Sequence, residues 1–405
     1  MGASRTSDNI LQLTHPDLTM PLILPRAWLR DACTCEMCVD PSSGQKRFST
    51  YEMPQKLPIH KIEKTRQGDL KVIWKDDFHT HDFHTSLYPN KQILYYLGEI
   101  PQFEMDPALD YWLWDRRAIE WQDPFFDYEG FMEGGQEYHA AHSTLRSHGL
   151  MFLRNVPQDE KAVERIAEKI GIIQETFYGR TWDVVSKPQA ENVAYTSSFL
   201  GLHSDLMYMT DPPRIQLLHC LKNTCEGGES IFSDALRARF QLMYADQDSF
   251  DLLRKHRVQY WYTKGVNHRL RWHTVFSGRF EVAWSPPFMT PEQELRKTPE
   301  GAQDYLDWLQ AARKFRNLLE DKRYQYQYKM KEGDCAVFNN LRVLHGRQQF
   351  NTATGERWLK GTYVGNESYC DKLRELAPFL VPKPNSTLIR QAQRYEYKRR
   401  ENGPD

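Results

Sequence analysis

The chain has 405 residues, of which 40% are hydrophobic and 26% charged, and its formal net charge is −1. These values are ordinary for a soluble globular protein, and they argue against a general binder of nucleic acid or anionic membranes, because such proteins carry a clear basic excess. No apolar run approaches the ~18 residues that a membrane-spanning helix needs, and the N-terminus lacks the basic-then-apolar plan of a signal peptide.

The predicted elements divide the chain into five segments. In chain order we predict a lead-in (1–22), a small N-terminal domain (23–100), a connector (101–135), a main domain (136–385) and a charged tail (386–405). The small domain shows short strand-like runs: PLILPRAWLRDAC, KLPIHKI and LKVIWKD. The connector is rich in Pro, Trp, Asp and Phe, without clear periodicity.

The main domain is predicted to be mainly β with flanking helices. Hydrophobic periodicity and glycine stops predict helices at 139–149, 157–171 and 294–320. The remaining chain alternates short strands with turns, and the clearest strands are RIQLLHCL, GESIFSD, FEVAWS, YQYKM, DCAVFN, RVLHGR and LKGTYVG. Many short strands with few helices favour a closed double-sheet fold such as a jelly roll.

Three of the seven cysteines lie together at Cys33, Cys35 and Cys38. An odd count with one tight cluster is not a disulfide framework, so we expect a reducing, cytoplasmic setting and a metal site. His79 or His81 would complete a tetrahedral Cys₃His zinc site that is structural because it leaves no open position. The alternative is that these are ordinary buried or reactive thiols.

A second metal motif is His203-Ser204-Asp205, with His345 far downstream. Two imidazoles and a carboxylate on one side of iron(II) leave positions open for a 2-oxo acid and O₂. Residues i and i+2 of a strand point to the same face, so His203 and Asp205 can reach one ion. The motif is weak alone, because His15-Pro16-Asp17 has the same pattern in the polar lead-in, where we interpret it as chance.

Two further residues are candidates for binding the co-substrate. Arg357 lies one strand beyond His345, where its planar guanidinium could hold the remote carboxylate of 2-oxoglutarate. Ser230 could add a hydroxyl to the same carboxylate. The alternatives are a surface salt bridge for Arg357 and a strand-edge serine for Ser230.

The long stretch FYGRTWDVVSKPQAENVAYTSSFLGLHSDLMYMTDPPRIQLLHCLKNTCEGGESIFSDAL, together with NNLRVLHGR, RWLKGTYVG and WLRDACTCEMC, resembles the γ-butyrobetaine and trimethyllysine hydroxylase group of taurine-dioxygenase-like 2-oxoglutarate oxygenases. The resemblance covers about residues 25–370. It implies a double-stranded β-helix behind a zinc-binding domain, with His203, Asp205 and His345 as iron ligands and Arg357 anchoring 2-oxoglutarate. It also implies O₂ as co-substrate, ascorbate as reductant and a homodimer.

The same resemblance also indicates which histidine binds zinc and which rings bind the substrate. The zinc-binding histidine of the family lies in an H-x-S-x-F/Y setting, and this favours His79 over His81. The family holds a quaternary ammonium in an aromatic cage, whose positions fall here on Tyr178, Trp182, Tyr195 and Tyr363, whereas plain core packing is the alternative for each ring. Tyr178 and Trp182 would share a wall if that stretch were helical.

The opposite end of the substrate is predicted less completely. Asn192 matches an Asn that binds the substrate carboxylate, although it could equally cap a turn. A second family Asn is replaced by the run Trp284-Ser285-Pro286-Pro287, so the anionic end should be held differently or differ in length or chemistry.

The leading hypothesis is therefore a hydroxylase of a small trimethylammonium acid, γ-butyrobetaine, giving carnitine. Trimethyllysine or another betaine-like substrate is the alternative within the same fold, and a non-catalytic scaffold with a zinc module is the alternative from another class. We expect a small-molecule substrate and neither nucleic acid nor membrane as partner.

Overall fold

The computed structural model describes residues 2–5, 9–14, 22–89, 111–185, 196–277, 280–290 and 298–380. The chain separates into two units, Met1–Asp106 and Pro107–Asp405. The predicted charged tail at 386–405 and the motif at His15 lie outside the described residues. None of the described helices is long and apolar enough to cross a membrane.

Over its described residues, the first unit contains two antiparallel three-stranded sheets and one short α-helix. Its elements are β1 (Gly2–Arg5), β2 (Ile10–Thr14), β3 (Leu22–Pro25), α1 (Arg26–Asp31), β4 (Ile59–Lys64), β5 (Leu70–Trp74) and β6 (His84–Tyr88). The predicted lead-in was wrong, because β1 and β2 belong to this unit and Leu11 and Leu13 are buried in its core. The first strand-like run was also wrong in part, because its second half forms α1 directly after Pro25.

The second unit is built on two sheets. Its strands up to the middle of the unit are β7 (Phe125–Asp127), β8 (Leu150–Arg154), β9 (Trp182–Val185), β10 (Leu200–His203), β11 (Ile215–Asn223), β12 (Glu226–Gly227), β13 (Ser230–Asp234), β14 (Arg257–Lys264) and β15 (Asn267–Thr274). The later ones are β16 (Phe276–Ser277), β17 (Glu281–Val282), β18 (Met289–Thr290), β19 (Gln325–Tyr328), β20 (Cys335–Asn339), β21 (Val343–Arg347), β22 (Phe350–Asn351) and β23 (Arg357–Val364). The helices are α2 (Arg116–Gln122), α3 (Tyr128–Glu133), α4 (Gln136–His148), α5 (Ala162–Ile170), α6 (Ala235–Ala245), α7 (Gln247–Lys255), α8 (Pro299–Glu320) and α9 (Asn366–Leu376).

The two sheets face one another, as the predicted double-stranded β-helix requires. The major sheet has the order β7-β8-β20-β11-β23-β9, and the minor sheet has the order β10-β21-β13-β19. Phe152 and Phe338 of the major sheet pack in one core with Phe232 and Val343 of the minor sheet. The fold class predicted from the sequence is therefore confirmed.

The other face of the major sheet is covered by helices. Met151 and Leu153, which alternate with the inward-facing residues of β8, pack in a second core with Val163 and Ile166 of α5. The predicted helices are present, but α5 begins at Ala162 rather than 157. The long helix α8 begins at Pro299 after Thr298, whose hydroxyl accepts a hydrogen bond from Gly301 N.

The predicted connector was wrong over residues 111–135. This stretch contains α2, β7 and α3, and β7 pairs with β8 in the major sheet. Trp114 is fully buried, and its Nε1 donates to His148 O at 2.7 Å. Elements of three to seven residues are too short to show a hydrophobic period, so packing rather than pattern defines them.

Candidate functional site

Strand pairing brings the three predicted iron ligands together. In the antiparallel pair β10–β21, His203 lies opposite His345, and their ring centroids are 4.3 Å apart. Asp205 follows β10 by two residues. One ligand atom from each of the three side chains lies within 4.8 Å of the other two.

The orientation of the side chains suits a metal ion. The carboxylate Oδ1 of Asp205 is 3.4 Å from His203 Nε2, and its Oδ2 is 4.0 Å from His345 Nε2. His203 Nδ1 lies 2.9 Å from Gly201 O and donates there, which turns Nε2 toward the other two ligands. Burial, together with the neighbouring His203, lowers the pKa of His345 to about 3, although the negative charge of Asp205 acts to raise it. His345 is therefore neutral, which is the form that binds metals.

Asp205 is held by both its backbone and its side chain. Asn340 accepts a hydrogen bond from Asp205 N at 2.7 Å and donates to Asp205 O at 3.1 Å. The carboxylate Oδ2 accepts from Gln216 Nε2 at 2.8 Å and from the Tyr363 hydroxyl at 2.7 Å. Although burial alone would raise the pKa of Asp205, the hydrogen bond with His203 and the two imidazoles hold it below its usual range. The carboxylate is therefore ionised and pre-positioned.

The residue after Asp205 carries backbone strain. Leu206 has φ +62°, in the left-handed region that a non-glycine residue enters at a cost of about 1–2 kcal/mol. Its side chain is buried in the core. This turn lets the chain leave β10 while the Asp205 side chain stays beside the imidazoles.

A pocket lies between the two sheets at this point. The strands β9, β11, β13 and β23 each contribute two alternate residues to its lining, as the period of two predicts. The lining residues are Trp182, Val184, Leu200, His203, Asp205, Gln216, Leu218, Ser230, Phe232, His345, Gly346, Arg347, Arg357 and Leu359. The metal ligands, the predicted co-substrate residues and one predicted cage residue thus share one pocket.

Arg357 is a buried cation in this pocket. Its side chain is 6% exposed, and burial lowers its pKa to about 10. Among the described residues no carboxylate pairs with it, and its Nε has no hydrogen-bond partner. The alternative of a surface salt bridge is therefore wrong. A buried guanidinium without an anion is costly, so the pocket suits a ligand that brings a carboxylate.

Ser230 lies on an interior strand of the minor sheet. The strand β13 pairs with β19 on one side and β21 on the other, and Ser230 is buried. The alternative of a strand-edge serine is therefore wrong. Its position in the pocket fits the predicted contact with the remote carboxylate.

A second buried guanidinium, Arg347, was missed by the sequence reasoning. Its Nη2 donates to Thr196 O at 2.7 Å and to Ser198 O at 2.8 Å. Burial and the charge of Arg357 lower its pKa to about 10. The signal was available, because Arg347 lies two residues after His345 on the same strand and must share its face.

The structure describes three of the four predicted cage residues. Trp182 and Tyr363 stack with ring centroids 3.9 Å apart. Gly361 pairs with Trp182 across β23 and β9, and a Cβ there would come within 2.5 Å of the Trp182 ring. Tyr178 packs on Phe177 at 4.2 Å, in a neighbouring aromatic cluster. Tyr195 lies outside the described residues, as does the predicted carboxylate ligand Asn192.

The helix that was considered for Tyr178 and Trp182 is absent. Trp182 begins β9, and Tyr178 lies in the turn before it, where Thr176 pairs with Gly179. Trp182 is therefore positioned by the edge of the major sheet. Its ring can occupy this position because the paired residue, Gly361, has no side chain.

The run Trp284-Ser285-Pro286-Pro287 supports the metal site through its backbone. Trp284 O accepts a hydrogen bond from Ser204 N at 2.6 Å, between the two ligands of the H-x-D motif. The Trp284 side chain is buried edge-on to Phe315, with centroids 5.3 Å apart. Trp284, Pro286 and Pro287 line a separate groove rather than the metal pocket.

The cysteine cluster of the first unit has its own ligand set. His84 Nε2 lies 3.4 Å from Cys33 Sγ, 3.8 Å from Cys35 Sγ and 3.4 Å from Cys38 Sγ. Zinc bond lengths at a tetrahedral angle place nitrogen and sulfur about 3.6 Å apart, so these four atoms could bind one zinc ion. Arg30 donates to Cys38 Sγ at 3.1 Å, while Asp77 holds its guanidinium on the other side.

The prediction of His79 as the fourth ligand was wrong, and so was its alternative, His81. His79 Nε2 lies 2.9 Å from Met37 O. The family pattern H-x-S-x-Y in fact fits His84-Thr85-Ser86-Leu87-Tyr88. On strand β6, Ser86 accepts a hydrogen bond from Trp74 Nε1 at 2.9 Å, and the Tyr88 hydroxyl donates to Leu29 O at 2.5 Å. These contacts fix the strand that presents His84.

We expect His84→Ala to release zinc, and His79→Ala to retain it. Loss of a ligand should exceed the roughly 10–100-fold loss of affinity that follows removal of an outer hydrogen-bond partner. Elemental analysis of chains purified without added metal, with a competing chelator, measures this, and the wild type should hold about one zinc per chain. Zinc absent from fresh wild-type protein, or lost equally from both variants, would contradict the site.

Comparison with known families agrees with both units. The model of the Taurine catabolism dioxygenase TauD, TfdA family matches residues 123–363, and that of the Gamma-butyrobetaine hydroxylase-like, N-terminal family matches residues 4–91. The first match covers more than half of the chain, and the second covers most of the unit that carries the cysteine cluster.

Three relatives match along most of their length. A protein named Dioxygenase str8, from Strobilurus tenacellus, is 34% identical over 87% of this chain and 85% of its own. The Gamma-butyrobetaine dioxygenase of Homo sapiens is 26% identical, over 87% and 91%. The mitochondrial Trimethyllysine dioxygenase of Bos taurus is 28% identical, over 86% and 82%. The family model and the 34% identity lead to one conclusion: the chain belongs to the taurine catabolism dioxygenase TauD, TfdA family and is a dioxygenase.

Proposed function

We propose that the chain is an iron(II) enzyme that hydroxylates a small substrate with a trimethylammonium group, with γ-butyrobetaine as the first candidate and carnitine as its product. The single observation that supports the co-substrate best is Arg357, a buried cation without a carboxylate partner among the described residues, in the pocket of the metal ligands. A dicarboxylic 2-oxo acid can chelate a metal at one end and neutralise this guanidinium at the other.

Different side chains of the pocket would bind the metal and the co-substrate. His203, Asp205 and His345 would hold iron, and Arg357 with Ser230 would hold the remote carboxylate of 2-oxoglutarate. Bound iron supplies the activation of O₂ that converts 2-oxoglutarate to succinate and CO₂ and hydroxylates the substrate. The protein binds and orients both organic molecules, and its apolar walls at Leu200 and Phe232 limit water.

Trp182 and Tyr363 support the choice of substrate. A quaternary ammonium cannot donate a hydrogen bond, so ring faces are the surfaces that bind it. The Tyr363 hydroxyl donates to Asp205, and the Trp182 ring, which stacks on Tyr363, lines the pocket of the metal ligands. The names of the human and bovine relatives, which act on γ-butyrobetaine and trimethyllysine, support this class, and trimethyllysine is therefore the second candidate.

A substrate panel tests the proposal. The chain with iron(II), 2-oxoglutarate and ascorbate should release succinate with γ-butyrobetaine, and mass spectrometry should detect a product one oxygen heavier. Trimethyllysine, choline-like and phosphonate analogues are assayed in parallel. Coupled turnover only with compounds that lack the trimethylammonium group would refute the substrate class, and absent O₂ uptake would favour the scaffold hypothesis.

We expect the ring of Trp182 to be the part that recognises the cation. A cation–π contact in a desolvated site contributes about 2 kcal/mol, or about 30-fold in affinity. The preference for γ-butyrobetaine over its neutral tert-butyl isostere should therefore collapse in Trp182→Leu and largely persist in Trp182→Phe. Competition binding with both ligands measures it. An unchanged preference in Trp182→Leu would contradict the cage.

We propose further that the chain forms a homodimer and acts in the cytoplasm. Light scattering coupled to gel filtration measures the first, and localisation of a tagged full chain measures the second.

A further inference from the structure

One oxygen of the Asp205 carboxylate is already occupied by protein donors. Oδ2 accepts hydrogen bonds from Gln216 Nε2 at 2.8 Å and from the Tyr363 hydroxyl at 2.7 Å. The two donors come from neighbouring strands, since Gln216 of β11 pairs with Tyr363 of β23 in the register of the major sheet. Among the residues that the structure describes, no such pair of donors reaches Oδ1, which faces His203 Nε2 at 3.4 Å.

The chemistry of the contact fixes the orientation of the Gln216 amide. If the amide were turned over, its oxygen would face a carboxylate oxygen at hydrogen-bond distance, and two acceptors repel. Nε2 therefore points to Asp205. The other end, Oε1, is buried and has no hydrogen-bond partner among the described residues, although the side chain lines the pocket.

This half-satisfied amide is costly for the fold. Gln216 is 1% exposed and lies between the buried residues Ile215 and Leu217 of β11. An unsatisfied buried polar atom destabilises the folded state, and an apolar residue of the same shape would avoid that cost. A purely structural role therefore does not explain a glutamine here, whereas a contact to the metal-binding carboxylate does.

We propose that Gln216 and Tyr363 are positioning residues that restrict Asp205 to binding metal through Oδ1 alone. This inference rests on the proposed iron site. Two hydrogen bonds occupy the lone pairs of Oδ2 and hold the plane of the carboxylate, so that Oδ1, which faces His203 Nε2, is the oxygen that remains available to a metal. A carboxylate that bound through both oxygens would occupy a further coordination position, and the chelating 2-oxo acid and O₂ need those positions.

Near-isosteric substitutions separate this role from folding. Gln216→Met and Tyr363→Phe each remove one donor with little change in shape, and the double variant removes both. Tyr208→Phe is the matched control, because it also removes a buried hydroxyl, one that lies 3.3 Å from the Tyr178 hydroxyl rather than on Asp205. Cobalt(II) is the probe, because its binding can be measured by calorimetry and its visible absorption reports the ligand set without any catalysis.

Each single variant should bind cobalt(II) about 10-fold more weakly, and the double variant up to about 100-fold more weakly. Losses of this size are common when a hydrogen-bond partner of a metal ligand is removed. At saturating cobalt(II) the absorption spectrum of the variants should differ from the wild type, whereas Tyr208→Phe should match it. Folded variants with wild-type affinity and spectrum would overturn the proposal for Gln216 and Tyr363 alone. Wild-type protein that binds no cobalt(II) would overturn the iron site, and this inference with it.

Discussion

Replacing Asp205 or His203 with alanine is expected to abolish succinate formation. Metal-ion catalysis contributes several kcal/mol to lowering a barrier, and each 1.36 kcal/mol is tenfold in rate, so a loss of about a thousandfold or more should follow. The physical reason is that either change leaves two ligands where three now lie within 4.8 Å of one another. Succinate release under saturating 2-oxoglutarate measures the loss of activity. Calorimetry with cobalt(II) measures the loss of metal affinity that should accompany it.

A buried histidine outside the pocket provides the control. His219 lies on β11 and is fully buried, and burial lowers its pKa to about 4. His219→Ala removes an imidazole of similar burial, so it should lower stability while activity stays within a few-fold. Full turnover in both the Asp205 and His203 variants would contradict the iron site. If His219→Ala lost succinate formation to a similar extent, the losses in all three variants would be due to impaired folding.

The iron ligands could be predicted because few structural assumptions bring them together. The spacing of His203 and Asp205 at a strand end, with His345 on a strand, needs only the period of two and one strand pairing. Gln216 could not be found in this way. The strand β11 is covered by helices on one face and by the pocket on the other, so its residues are almost continuously buried and show no alternation. Only the pairing of Gln216 with Tyr363 shows which atom it reaches.

The zinc ligand is a different case, because the sequence contained the signal. Three histidines occur within six residues at His79, His81 and His84, and distance along the chain does not separate them. Tertiary contacts do separate them: His84 is buried against the sulfur atoms, whereas His81 has φ +57° and is exposed. Ser86 and Tyr88, which follow His84, anchor β6 through their hydrogen bonds. The sequence pattern H-x-S-x-Y therefore identifies His84 without the structure.

Arg357→Met should raise the KM for 2-oxoglutarate by about 30-fold or more, with a smaller effect on kcat. Truncating one partner of a buried charge pair costs about 2–5 kcal/mol, which corresponds to at least about 30-fold in affinity. Arg357→Lys should recover only part of this, because an ammonium cannot donate two parallel hydrogen bonds to one carboxylate. Gly228 permits the approach of Arg357, since a Cβ there would lie 3.2 Å from Arg357 Cδ. Initial rates across 2-oxoglutarate concentrations measure the effect.

A short 2-oxo acid without the remote carboxylate isolates the contribution of Arg357. 2-Oxobutyrate can chelate a metal as 2-oxoglutarate does, but it brings no anion to the guanidinium, so its inhibition constant should be nearly the same in the wild type and in Arg357→Met. The ratio of the two affinities then reports the ion pair alone, free of any general damage to the pocket. An equal loss for both acids would assign Arg357 to folding rather than to recognition. This guanidinium is buried and pairs with none of the carboxylates in the described part of the chain, which predicts instead that the loss is confined to 2-oxoglutarate.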